Sequence, residues 1–156
     1  MKIVIVTPAA ARVRNGNRNT AQRWAAFLRR LGHRVSVQVE WDGRRADLML
    51  ALHARRSHAS IKRFSERHPG LPLIVALTGT DLYRDIRDDL SAQESLQLAT
   101  RLVVLQERGL DELAPALRAK TRVIYQSARP VKPAQTSKKR FEVCVVGNLR
   151  EEKDPF

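Results

Sequence analysis

Short runs rich in Ile, Val and Leu alternate along this chain with segments of helical period, and this alternation constrains the fold more than any other feature. The runs are Ile3 to Thr7, Arg34 to Val39, Asp47 to Leu52, Leu73 to Leu77, Arg101 to Leu105 and Arg122 to Tyr125. Several are nearly continuous in apolar residues, as strands covered on both faces of a parallel sheet must be. Between the first two, Asn19 with Gln22 predicts a capped helix start. Ala21, Trp24, Ala25, Leu28 and Leu31 then share a face, and Gly32 suits a left-handed cap. A second helix is predicted from Ser57, burying Ile61 and Phe64 and ending before Pro69. Ser91 and Glu94 stand at capping-box spacing for a third. A fourth is predicted from Glu107 to Leu117, with Leu110, Leu113 and Leu117 inward. Strand and helix in repetition predict an α/β fold with a doubly wound, Rossmann-like parallel sheet, with the strand order 3-2-1-4-5-6 expected.

The 156 residues suffice for one domain with a real core. Residues 1–127 read as that domain. Residues 128–140 are rich in Pro and Lys without apolar period and read as a linker. Residues 141–156 open with a strand-like run from Phe141 to Gly147, expected to begin a second, truncated domain. No apolar run has the length of a membrane span, and the amino terminus does not resemble a signal peptide. A single cysteine, Cys144, excludes an internal disulfide, and a cytoplasmic location is expected. The formal charge of +13 suits anionic partners. The cations are spread along the chain, however, aromatics are few, and no nucleic-acid-binding signature is visible. No nucleic-acid partner is therefore expected.

In open α/β sheets, ligands sit beyond the carboxyl ends of strands where the strand order reverses. Three strand-end loops carry polar chemistry suited to that place. The first contains Gly16 and Asn17 and opens a helix whose amino terminus attracts anions. The loop after the third strand holds His53, Arg55, Arg56, Ser57 and His58, where paired arginines suit an oxyanion and histidine suits proton transfer. The loop after the fourth strand supplies Thr78, Thr80 and Asp81, which suit a hydroxyl-rich ligand, with Gly79 keeping the approach open. Each also reads as ordinary turn and cap chemistry. Near the end, Arg150 and Lys153 follow a Gly-containing turn and could clamp a diphosphate. The absence of G-x-G-x-x-G and of a P-loop counts against an NAD enzyme or an ATPase.

Taken together, Lys2–Pro8, Gly16–Ala21, Ala51–Ser60, Leu77–Tyr83, Arg101–Gln106 and Val146–Pro155 resemble GT-B glycosyltransferases related to family 4. The closer resemblance is to the selenosugar synthases of selenoneine biosynthesis, with His53–His58 as its distinctive stretch. The resemblance implies two Rossmann-like domains facing across a cleft. It implies transfer of N-acetylglucosamine from its UDP donor to selenophosphate, forming a carbon–selenium bond. No metal or other cofactor is implied, since basic side chains and helix dipoles handle the diphosphate. By position, Gly16, Asn17 and Thr20 would line the cleft near the sugar. His53, Arg55, Arg56 and Ser57 would hold selenophosphate, and Thr78, Thr80 and Asp81 would contact acceptor or sugar. Arg150 and Lys153 would grip the donor diphosphate. Two other functions stay open: a GT-B enzyme with an ordinary hydroxyl acceptor, and a non-enzymatic basic module that binds nucleic acid.

Overall fold

A computed structural model describes residues 1–9, 16–128, 130, 132 and 143. Six strands, β1 (Lys2–Val6), β2 (Arg34–Gln38), β3 (Leu48–Leu52), β4 (Leu73–Leu77), β5 (Arg101–Val104) and β6 (Thr121–Val123), form one all-parallel sheet. Between them lie α1 (Gly16–Arg30), α2 (His58–Arg67), α3 (Ile86–Asp88), α4 (Leu90–Leu98) and α5 (Pro115–Arg118). A π-helical turn, Asp81–Asp85, runs into α3, and a 3₁₀ turn, Glu107–Leu110, follows β5. The architecture is α/β and consistent with a Rossmann-like fold. Met1–Gln126 form one compact unit.

The pleat sorts side chains to two cores. Ile3, Ile5, Leu50 and Leu52 turn to the face covered by α1, where they meet Ala21 and Ala25. Val4, Val6, Met49, Ala51, Val75 and Leu77 turn to the opposite face. There they meet Ile61 and Phe64 of α2, and Ala92 and Leu96 of α4. Both faces of the central strands are thus covered, which is why β3 and β4 have almost no polar residues.

The strand order is β2-β1-β3-β4-β5-β6, not the expected 3-2-1-4-5-6. Composition explains the difference. β3 reads LMLAL and would expose apolar surface at an edge, whereas β2 reads RVSVQ and tolerates one. Two hydrogen bonds hold this order: the Asp47 N–H donates to the Lys2 carbonyl (2.7 Å), and the Lys2 N–H donates to the Asp47 carboxylate (2.7 Å).

Four local expectations also change. Helix α1 begins at Gly16, so Asn19 lies inside its first turn, just ahead of the buried Thr20 and Ala21, rather than capping it. Leu31 is 72% exposed, because the chain turns at Gly32 (φ 84°) before Leu31 can reach the sheet. Helix α4 is capped by Asp89, whose carboxylate accepts from the Ala92 N–H (2.8 Å), rather than by Ser91. The predicted fourth helix is broken into the 3₁₀ turn and α5, since Pro115 has no N–H to continue a helix from Glu107. Leu113 is still buried.

Candidate ligand crevice at the carboxyl ends of the strands

With β1 and β3 adjacent, the crossover from β1 covers one face and that from β3 the other. The topological switch therefore lies between β1 and β3 rather than between the first and fourth strands. This strand order brings the His53 loop directly to the switch. Because every strand is parallel, the loops after β1, β3 and β4 leave the same end of the sheet. One edge of the crevice carries the start of α1, and the other carries His53–Ser57 backed by Thr78–Asp81.

His53 is the centre of this cluster. It is 3% exposed and adopts φ 74°, the one non-glycine residue at positive φ among the described residues. Such a conformation costs on the order of 1–3 kcal/mol and persists only where its surroundings over-determine it. The surroundings do so here. The His53 N–H donates to the Ala76 carbonyl (2.9 Å), and the Arg56 N–H points at Nδ1 (3.4 Å). With Nδ1 accepting, the neutral ring carries its proton on Nε2, which lies 3.2 Å from Thr80 Oγ1. Burial lowers the imidazole pKa; the Asp81 carboxylate opposes that shift, Arg56 reinforces it, and Asp85 and Arg55 act as a smaller opposing pair. His53 is thus a neutral strut, closed to a ligand.

Asp81 has no exposed surface. Its Oδ1 accepts from the Thr78 and Gly79 N–H groups (both 2.9 Å), and its Oδ2 accepts from the Ala54 N–H (3.0 Å). The carboxylate is an internal anion that ties the β4 loop to the β3 loop and has nothing left to offer a sugar. Ser57 is similar. Its hydroxyl donates to the Leu52 carbonyl (2.7 Å), so it neither caps α2 nor faces an oxyanion. Gly79 (φ 148°) has open space where a Cβ would stand, leaving the backbone beside Thr78 and Thr80 approachable.

The cations behave differently. Arg55 donates from Nε to Asp85 (2.9 Å), which fixes the guanidinium and leaves its terminal amino groups as donors. Arg84 approaches the other oxygen of Asp85 at 3.3 Å. Arg56 is exposed and has no carboxylate partner among the described residues. Asp85, buried between these groups and 3.9 Å from His53 Nε2, organises the loop and was missed in the sequence. Its one signal there is the four-residue spacing from Asp81, which puts both carboxylates near one side of a helical turn.

On the opposite edge, Gly16 is open and Asn17 half-buried. Thr20 is buried, and its hydroxyl accepts from the Gln126 side chain (2.9 Å). Thr7, just past β1, has a fully buried hydroxyl without a hydrogen-bond partner among the described residues. His58 faces away from the crevice: Nδ1 meets Ser95 Oγ (3.0 Å) and Nε2 meets Glu94 (3.1 Å), joining α2 to α4. Arg150 and Lys153 lie outside the described residues, as do Cys144 and all of the strand-like run from Phe141 to Gly147 except Val143, which is exposed. Among the described residues no three His, Cys, Asp or Glu side chains group as metal ligands, and no helix is long and apolar enough to cross a membrane. The crevice presents Arg55, held by Asp85, and the exposed Arg56 as cations suited to an anion. Among the described residues it exposes no general base. Comparison with protein-family models and with curated proteins finds no match.

Proposed function

We propose that this domain is the acceptor-binding half of a GT-B glycosyltransferase that transfers N-acetylglucosamine from UDP-N-acetylglucosamine to selenophosphate. The observation that carries the reading is the β3 loop. Arg55 is fixed by Asp85, Arg56 has no carboxylate partner among the described residues, and both flank the topological switch of a parallel α/β sheet. An acceptor that arrives ionised needs charge compensation and no general base, which fits a crevice whose one histidine is buried and neutral. Two unit charges 4 Å apart interact by about 4 kcal/mol at an effective dielectric near 20, so an arginine pair is a sufficient device for seating an anionic acceptor beside an anionic donor.

The reading requires a second lobe that holds the nucleotide sugar. Its test is product analysis by mass spectrometry after incubating the two-domain protein with UDP-N-acetylglucosamine and selenophosphate. A carbon–selenium product is expected. An O-glycoside with a hydroxyl acceptor, or no product, refutes it. Arg55→Ala and Arg56→Ala are expected to raise the acceptor KM more than the donor KM.

A further inference from the structure

We propose a second anion site, independent of the crevice and of the transferase reading: a phosphate-binding groove along the β2 edge. The sequence scatters the cations, but the fold gathers them. Lys2, Arg34, Arg44 and Arg45 line a groove of about 440 Å³. Arg63 and Arg67 line an adjoining one of about 520 Å³, the two sharing Trp41 and Asp42. Both volumes fall in the roughly 300–1,000 Å³ range of small-molecule sites. Lys2 and Arg34 begin their strands, at the end of the sheet opposite the crevice.

The groove exists because the β2–β3 connection contains no helix. By register, Arg34, Ser36 and Gln38 share a sheet face with Val4, and no crossover helix covers them. The connecting loop forms the wall and is held rigidly. The Trp41 N–H donates to Ser60 Oγ (3.0 Å), and its indole N–H donates to the Arg44 carbonyl (3.0 Å). The Asp42 N–H donates to Gln38 Oε1 (3.0 Å), and Arg63 donates to the Trp41 carbonyl. Gly43 (φ 82°) lets the Arg67 guanidinium come within 3.4 Å of where a Cβ would stand. Arg44 and Arg45 are therefore presented from a fixed backbone, which lowers the ordering cost of binding.

The acids neutralise only part of the groove. The Asp42 carboxylate is spent within the loop, on the Arg44 N–H (3.0 Å) and the Arg44 guanidinium (3.5 Å). Glu66 lies on the Arg63–Arg67 side. Arg34 and Arg45 have no carboxylate partner among the described residues. The occupant is not an added peptide strand, because Arg29 already donates to the edge carbonyl of Val35 (2.7 Å). Base stacking does not select it either, since Trp41 is buried. Guanidinium forks without an aromatic platform suit clustered phosphate oxygens, as in a diphosphate or triphosphate ester.

The experiment is a ¹⁵N-NMR titration of this chain with inorganic pyrophosphate at fixed ionic strength. Saturable shifts centred on Arg34, Arg44 and Arg45 are expected. Arg34→Gln/Arg45→Gln, both exposed positions, should weaken binding tenfold or more with an unchanged melting temperature. Arg55→Gln should leave binding within twofold. If duplex RNA saturates the same amides and pyrophosphate does not, the oxygens belong to a phosphodiester backbone and the site stands. Shifts centred on Arg55–Ser57, double-variant binding within twofold of the parent, or equal binding of poly-glutamate would overturn the proposal.

Discussion

The crevice shows how burial decides what a polar side chain is for. Asp81 looks like a ligand-binding carboxylate in sequence but serves three backbone N–H groups. Replacing it with alanine leaves those donors without their acceptor. At about 1–3 kcal/mol for each donor left unsatisfied, urea denaturation should show a loss of about 3 kcal/mol or more, with Asp81→Asn intermediate. A loss below 1 kcal/mol would remove Asp81 from its structural role. His53 gives a pH dependence of definite sign. Its native pKa lies below the ordinary 6.5, so between those two values the unfolded chain binds a proton that the native chain refuses. The stability contribution is complete above pH 6.5 and is lost as pH falls toward the native pKa. His53→Gln should flatten the stability profile between pH 5 and 7, read from urea midpoints; an unchanged slope would contradict this.

At the scale of elements, small covalent facts redirect whole segments. Pro115 divides what periodicity alone reads as one helix. Asp89, not Ser91, starts α4, and Asp89→Ala should cost about 1 kcal/mol in chemical denaturation, against nearly nothing for Ser91→Ala. Helix α2 carries more weight. Phe64 is fully buried and meets Trp41 and His68 edge-on, with centroids 5.2 Å away in both cases. Phe64→Ala should destabilise by about 3–5 kcal/mol and loosen the Trp41 loop, visible as a red shift in tryptophan emission. Loss of stability without that shift would separate α2 packing from the groove wall.

The whole molecule carries a formal +13, and that excess repels itself in the compact state. Screening should therefore stabilise it. The melting temperature should rise by several degrees between about 10 mM and 300 mM sodium chloride, across which the Debye length falls from roughly 30 Å to below 8 Å. A flat response would mean that the cations are already paired or too far apart to interact. The two basic regions described above contribute to this strain from opposite ends of the sheet.

The residues' own pattern carries the six strands, the placing of α1, α2 and α4, and the parallel α/β class. These follow from local apolar period and from strands too apolar to face water on either side. It also supplied Gly32 as a cap and the polar loops that line one sheet end. Packing settled the order of β2 and β3, because order depends on which strand can bear an exposed edge. It decided which polar groups are spent internally, as with His53, Ser57 and Asp81, since contacts between β3 and β4 loops join residues nearly thirty positions apart. It alone brought Arg34, Arg45 and Arg67 to one edge. Charge has no sequence period that reports where a fold will gather it.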